Sequence, residues 1–127
     1  MMMTEDQLSY RIDAAAGIVV IAGPDGASPV AFQQTLRTIL DDPDYKPGYG
    51  FLRDRRGFRL PPTGLVHGVA SFIRESEALA GSRWAIVVSD PANYGMMRML
   101  SILSEVAEME IFEDPATATS WLAGDGS

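Results

Sequence analysis

The first part of the chain carries two segments with the hydrophobic patterns of β-strands. Residues 8–13 alternate between apolar and polar side chains, with Leu8, Tyr10 and Ile12 on one side. This period of two predicts a strand with one buried face. Residues 18–21 form a β-branched run that is apolar on both faces, which predicts an interior strand. Because only a few residues separate the two segments, we expect an antiparallel hairpin.

The rest of the chain alternates between helical and strand patterns. Three helices are predicted to begin where a capping residue precedes a proline, because that pair favours the first helical turn. These pairs are Ser28-Pro29, Asp90-Pro91 and Asp114-Pro115. Another helix is expected to begin at Thr63 and to end before Gly81. The strands predicted between the helices are residues 49–52, 84–88 and 109–112.

The order of these elements predicts the fold class. It is β-β-α-β-α-β-α-β-α, and strands that alternate with helices are typical of α/β domains with right-handed crossovers between parallel strands. We therefore expect a mixed sheet with an antiparallel first strand and parallel later strands. Residues 1–127 contain no internal repeat or low-complexity linker, so we expect one domain with its core at about residues 8–122.

Composition excludes several classes of function. The chain has 127 residues, a formal net charge of -7, no cysteine and one histidine. The negative charge opposes nucleic-acid binding, and the absence of cysteine excludes thiol nucleophiles and cysteine-bound metals. We expect no cofactor and no metal. The apolar runs are too short to cross a bilayer and the acidic start does not resemble a secretory signal, so we expect a cytoplasmic protein.

Three segments together resemble a known family. The first is the loop at residues 42–48 with the following Leu52-Arg53-Asp54-Arg55-Arg56, which contains an Asp-x-Arg motif. The second is residues 83–90 with a methionine-rich helix after it, and the third is residues 109–122. In order and spacing they resemble the STAS domains of anti-sigma-factor antagonists and sulfate transporters, and the small bacterial STAS/SEC14-like proteins. The resemblance implies a β-α superhelix with an antiparallel first strand.

The resemblance also implies a phosphorylation switch at Thr63. Phospho-switch members of the family begin their second helix with Asp-Ser-Ser-Gly-Leu, and the serine before the glycine is phosphorylated. The matching stretch here is Pro61-Pro62-Thr63-Gly64-Leu65, so Thr63 and Gly64 match while prolines replace the acidic residue and the first serine. A phosphate on Thr63 would be favoured by the helix dipole. The alternative is a plain N-cap that stabilises the helix by about 1 kcal/mol.

Four of the ten basic residues lie within seven positions of each other. Arg53, Arg55, Arg56 and Arg59 surround Asp54 near the predicted carboxyl end of a strand, where α/β sheets bind ligands. We therefore treat Arg53, Asp54, Arg56 and Arg59 as candidates for binding a carboxylate or phosphate group. The alternative is a solvated loop in which Asp54 pairs with Arg56, while strand alternation directs some of the arginines apart.

Ser89 and Asp90 are further candidates at the same edge of the sheet. They follow the central predicted strand and precede a helix, so a small anionic ligand would lie close to a helix N-terminus. An ordinary helix start is the alternative interpretation.

The following helix supplies candidates for an interaction surface. Met96 and Met99 fall on its predicted apolar stripe, whereas Met97 and Tyr94 are expected to face outward and to contribute to a dimer or ligand face. The alternative role of these methionines is to fill the core.

Two functions from different classes remain open. The first is a non-enzymatic, STAS-like regulatory module that binds a protein partner or a second copy of itself near Thr63. The second is a small-molecule or lipid-binding module in which Arg53, Arg56 or Arg59 holds the anionic head of the ligand. A methionine-lined apolar pocket would favour the second function, and a filled core with an apolar surface patch would favour the first.

We do not expect an enzyme. Catalysis would require a cleft in which Asp54, His67 and Asp90 converge. The chain contains no Gly-x-Ser-x-Gly elbow and no phosphate-binding Gly-Lys-Ser/Thr loop.

Overall fold

A computed structural model describes residues 8–23, 29–56, 63–104 and 108–124 of the chain. These residues form the predicted elements in the predicted order. The strands are β1 (Ser9–Asp13), β2 (Ile18–Ala22), β3 (Gly50–Asp54), β4 (Arg83–Val87) and β5 (Glu108–Phe112). The helices are α1 (Pro29–Asp41), α2 (Thr63–Glu75), α3 (Pro91–Ser104) and α4 (Pro115–Leu122). The prediction of an α/β fold with this element order is confirmed.

The five strands form one mixed sheet in the order β1-β2-β3-β4-β5. β1 is antiparallel to β2, with Ile12 opposite Val19, and each later strand is parallel to the strand before it. Each parallel connection moves one strand further in the same direction, so right-handed crossovers place α1, α2 and α3 on one face. α2 packs against both α1 and α3, whereas α4 packs against β3, β4 and β5.

Two apolar clusters fill the two sides of the sheet. The larger cluster lies beneath α1, α2 and α3, and at its centre the rings of Phe51 and Trp84 stack with centroids 4.4 Å apart. The smaller cluster lies beneath α4 and contains Ala85, Val87 and Ala118. β3 contributes to both, because its side chains alternate between the two faces.

α2 is shorter than the sequence predicts. The α-helix ends at Glu75, since Ser76 has an extended backbone with φ -92° and ψ 114°. A 3₁₀ helix over Glu77–Leu79 follows, and the side chain of Leu79 is completely buried. The predicted helix up to Gly81 is therefore an α-helix followed by a separate turn, and Leu79 anchors that turn in the core.

α3 is rotated about its axis relative to the prediction. Its buried residues are Asn93, Met97, Leu100 and Ser104, which are spaced for one face of a helix. The expectation that Met97 faces outward is wrong, because only 4% of its surface is exposed. Two of these buried residues, Asn93 and Ser104, are polar, and their side chains form hydrogen bonds. One of these bonds is donated by the Ser104 hydroxyl to the carbonyl oxygen of Leu100 at 2.8 Å.

The orientation of α3 can be tested with two neighbouring methionines. We expect Met97→Ala to lower the free energy of unfolding by about 2–4 kcal/mol, because it removes a buried side chain. Met96→Ala should lower it by about half as much or less, since Met96 is only half-buried. Urea denaturation of both variants measures the difference. A larger loss for Met96→Ala would support the orientation predicted from sequence and contradict the structure.

Candidate functional site at the carboxyl edge of the sheet

The carboxyl ends of β2, β3 and β4 lie side by side, because these strands are parallel neighbours. The helices that follow them, α1, α2 and α3, therefore begin at this edge. The candidate residues from Arg53 to Arg56, together with Thr63, Ser89 and Asp90, belong to the strand ends and helix starts found there. The topology thus brings most of the predicted site to one rim of the molecule.

Arg53 points into the protein and ties the ends of two strands together. Its side chain is only 3% exposed. Nη1 donates hydrogen bonds to the carbonyl oxygens of Ile21 and Asp54 at 3.4 and 3.3 Å, and Nη2 donates to that of Gly23 at 2.7 Å. The guanidinium also lies 5.7 Å from the ring centroid of Phe32 on α1. Arg53 therefore links the ends of β2 and β3 beneath the first helix.

Arg55 links the end of β3 to the start of α3. It is also 3% exposed, and its backbone amide donates to the carbonyl oxygen of Val87 at 2.8 Å. Its Nη1 donates to the side-chain oxygen of Asn93. Asn93 in turn donates from its backbone amide and from its side-chain amide to the two carboxylate oxygens of Asp90, at 2.8 and 3.0 Å. A network from Arg55 through Asn93 to Asp90 therefore fixes the N-terminus of α3.

Asp54 and Arg56 form a separate pair at the surface. Arg56 donates from Nε and Nη2 to the two Asp54 oxygens at 3.0 and 2.7 Å, and its backbone amide adds a third bond at 3.1 Å. The side-chain hydrogen bonds from Arg56 lower the pKa of Asp54, although partial burial opposes them. The same pairing raises the pKa of Arg56. The expected pair is thus present, and both groups are charged at neutral pH.

The predicted cluster of arginines is divided between the interior and the surface. Arg53 and Arg55 follow the inward alternation of Phe51 and are buried, which agrees with the alternative that strand alternation directs some of the arginines apart. Arg56 stays at the surface, and Arg59 lies outside the described residues. Phe51, Arg53 and Arg55 are spaced two residues apart in the sequence. This spacing indicates that the two arginines point to the same side of the sheet as the core residue Phe51.

A small cavity lies beneath the buried arginines. Its volume is about 30 Å³, and Arg53, Arg55, Met97 and Phe32 contribute to its walls. This volume is large enough for one or two water molecules. It is far smaller than the 300–1,000 Å³ typical of ligand pockets. The core beside the sheet is therefore essentially filled.

The surface beside Asp54 and Arg56 forms a shallow depression of about 410 Å³. Ala22 and Gly23 contribute to its walls together with Asp54 and Arg56. A ligand carboxylate or phosphate there would compete with Asp54 for the Arg56 guanidinium, which already donates two hydrogen bonds to it.

The aspartates that begin α3 and α4 are held in their ionised form. The Asn93 amide lowers the pKa of Asp90, and the Thr117 amide lowers that of Asp114. Asp114 is the N-cap of α4, and it also accepts a hydrogen bond from the Thr117 hydroxyl at 2.9 Å. Groups with lowered pKa values release their protons well below neutral pH, so these carboxylates are poor proton carriers at pH 7. They are suited to fixing helix ends and presenting negative charge.

The other predicted residues at this edge are mostly accessible. Thr63 and Gly64 are exposed and are the first two residues of α2. Ser89 and Asp90 are exposed, and Tyr94 on α3 is 41% exposed. The sequence places Asn93 beside Ser89 and Asp90 at this helix start, but only the structure shows that its side-chain amide connects Arg55 to Asp90.

Asp54, His67 and Asp90 do not all lie on one side of the sheet. His67 is exposed on α2, and Asp90 begins α3 on the same side of the sheet. Asp54 points to the opposite side, because it alternates with the inward-facing Arg53 and Arg55. Among the described residues, no group of three or more metal-ligating side chains could hold a metal ion. No helix in these ranges is long and apolar enough to cross a membrane.

The network through Asn93 can be tested by removing its amide. We expect Asn93→Ala to lower the free energy of unfolding by about 1–3 kcal/mol, because the buried Arg55 guanidinium loses an acceptor. Arg98→Ala is the matched control on the exposed side of α3, and it should change stability by about 0.5 kcal/mol or less. Equal effects in urea denaturation would contradict a structural role for the network.

The charge of Asp114 makes a testable contribution to the pH dependence of stability. Its folded pKa is lowered, so its contribution is fully present above the unfolded value of about 3.9 and is lost as pH falls through the folded value. Asp114→Asn keeps a capping oxygen but does not titrate. We expect the wild type to have the higher urea midpoint at pH 7, and the gap to shrink below about pH 4. A gap that is constant with pH would contradict this assignment.

Searches against protein-family models, curated proteins and solved structures found no match for this chain. The function of the carboxyl edge must therefore be argued from its own geometry.

Proposed function

We propose that the protein is a non-enzymatic, STAS-like regulatory module that binds a protein partner at the carboxyl edge of its sheet. The sheet order supports this proposal, because an antiparallel first strand followed by parallel strands in sequential order is the superhelix that the family resemblance implies. The proposal rests on the hydrogen bonding at this edge. The charged side chains there are held by hydrogen bonds within the protein, while other side chains remain exposed.

Fixed charges favour recognition over proton transfer. Asp54, Asp90 and Asp114 all have lowered pKa values because each accepts hydrogen bonds from neighbouring groups. They therefore present stable negative charges at this edge, where Asp54 and Asp114 lie near Arg56. Such a pattern selects partners with complementary charge and accelerates their encounter. We expect the partner to contribute a predominantly basic surface.

Tyr94 and Thr63 are the exposed residues best placed to contact the partner. Tyrosine is enriched among the residues that dominate binding energy at interfaces, and Tyr94 lies in the first turns of α3. Thr63 begins α2, which packs directly against α3. Phosphorylation of Thr63 would add up to two negative charges at a helix N-terminus, where the dipole tolerates them. The added charge would act on the partner while leaving the fold intact.

The alternative of a small-molecule or lipid-binding module has less support. An acyl chain needs a cavity, and the cavity beneath Arg53 and Arg55 is only about 30 Å³. The Arg53 side chain donates to three backbone carbonyl oxygens. The filled core favours the interaction module.

The proposal can be tested with substitutions at opposite ends of α3. Tyr94→Asp lies at the carboxyl edge, and Ile102→Asp is the control, since Ile102 is 67% exposed near the other end of the helix. Partners captured from a cell extract are identified by mass spectrometry, and their dissociation constants are then measured by calorimetry. We expect Tyr94→Asp to weaken binding at least about tenfold because it removes the aromatic contact, and Ile102→Asp to leave binding unchanged. Thr63→Glu should strengthen binding, because its added negative charge faces a basic partner surface.

Native mass spectrometry of the purified protein separates the two kinds of partner. A dimer that Tyr94→Asp dissociates would identify the partner as a second copy of this chain. A monomer, combined with the absence of any captured protein that Tyr94→Asp releases, would overturn the proposal. Equal weakening by Ile102→Asp would place the interface elsewhere and would also overturn it.

A further inference from the structure

A second cleft lies at the opposite, amino edge of the sheet. Its volume is about 550 Å³, within the range of small-molecule sites. One wall is the loop after α1, with Tyr45 and Tyr49, and the other wall is the turn between α2 and β4, which includes Glu77. Leu40 adds apolar surface from α1. This cleft is separate from the edge proposed to bind a protein partner.

Two tyrosine rings form a right-angled corner in the first wall. The ring centroids of Tyr45 and Tyr49 are 5.9 Å apart, and the ring planes meet at 81°. Tyr49 is positioned by a tight turn, in which its amide donates to the carbonyl oxygen of Lys46 at 3.2 Å. Pro47 and Gly48 occupy the centre of this turn, and the φ of +99° at Gly48 is one that glycine adopts readily. The turn and the ring packing therefore preorganise this corner.

Both walls are attached to the same aromatic stack. Tyr45 packs against Phe51 with centroids 6.0 Å apart, and Phe51 stacks on Trp84. The indole Nε1 of Trp84 donates to the Ser82 hydroxyl at 2.9 Å, and that hydroxyl donates to the carbonyl oxygen of Leu79 at 2.6 Å. Packed and hydrogen-bonded side chains thus connect the two walls of the cleft.

The charges around this cleft are mixed, and the nearby carboxylates outnumber the basic side chains, which include exposed Lys46 in the turn between the two tyrosines. The exposed residue Glu77 belongs to one wall, and Asp42 and Asp44 lie just before Tyr45. The Asp44 amide and the Tyr10 hydroxyl lower the pKa of Asp42, so it is ionised at neutral pH. Arg83 also lines the cleft, but its guanidinium lies 4.1 Å from the ring centroid of Trp121 on the α4 side and its Nε pairs with Glu108. The setting is therefore favourable for a cation.

We propose that the amino-edge cleft binds a small quaternary ammonium ion. Tyr45 and Tyr49 line the cleft, and the electron-rich face of a tyrosine ring attracts a methylated cation; a nearby carboxylate adds to the attraction. Such an ion offers no N–H donor, so it does not need the buried acceptors that a primary ammonium would require. The methyl groups of the ion would contact the apolar surface formed by Leu40 and the tyrosine rings. This inference does not depend on the function proposed for the carboxyl edge.

Choline chloride tests the proposal directly. We expect a two-dimensional NMR titration, at constant ionic strength, to shift the backbone signals of Tyr45, Tyr49 and Glu77 in a saturable manner. The control ligand is 3,3-dimethyl-1-butanol, which has the shape of choline without its charge. It should bind at least about tenfold more weakly if cation–π attraction provides the affinity.

Three variants complete the test. Tyr49→Phe keeps the aromatic ring and should bind choline within about twofold of the wild type, whereas Tyr49→Leu should weaken binding about tenfold. Glu77→Gln changes an exposed side chain, so it should preserve the fold while weakening binding about threefold. The proposal is overturned if choline causes no saturable shifts or if the neutral analogue binds equally well. It is also overturned if both Tyr49→Leu and Glu77→Gln, each with a wild-type spectrum elsewhere, bind choline like the wild type.

Discussion

The structure of the carboxyl edge depends on the hydrogen bonds that the buried Arg53 guanidinium donates to backbone carbonyl oxygens. A charged group removed from water destabilises a protein by several kcal/mol unless it is well hydrogen-bonded. Arg53 donates to carbonyl oxygens at the ends of both β2 and β3, and it lies close to the Phe32 ring. These bonds hold two strand ends in register beneath α1. The neighbouring Arg55 extends the same arrangement through Asn93 to the first turn of α3.

The division of the arginines gives one short segment a buried part that ties strand ends together and a surface part at the proposed binding edge. The inward residues of β3 and its extension fix the strand ends, while the outward pair of Asp54 and Arg56 stays on the surface with its charges in place. Asp90 and Asp114 are also held ionised by helix amides, so they present negative charge at this edge at neutral pH. This combination is the physical basis for proposing a binding function. At the other end of the sheet, the stack of Phe51 on Trp84 supports a second, aromatic cleft.

Much of the fold was predictable because the local signals agree with one another. Alternation in β1, the β-branched run in β2 and the capping residues before prolines place the elements in their correct order. The rotation of α3 was not predictable, because its buried stripe includes Asn93 and Ser104 while half-buried Met96 and Met99 lie beside it. Hydrogen bonds that satisfy those polar side chains form only in the folded protein. The amino-edge cleft joins Tyr49 to Glu77 across a long stretch of sequence, so no local pattern indicates it.

The stability of an Arg53→Met variant tests most directly whether this guanidinium is a structural tie. If it is, the free energy of unfolding in urea should fall by about 2–5 kcal/mol, because three backbone acceptors lose their donor. Arg98→Met, at an exposed position of α3, should change stability by about 0.5 kcal/mol or less. An Arg53→Met protein as stable as the wild type, or more stable, would contradict the account.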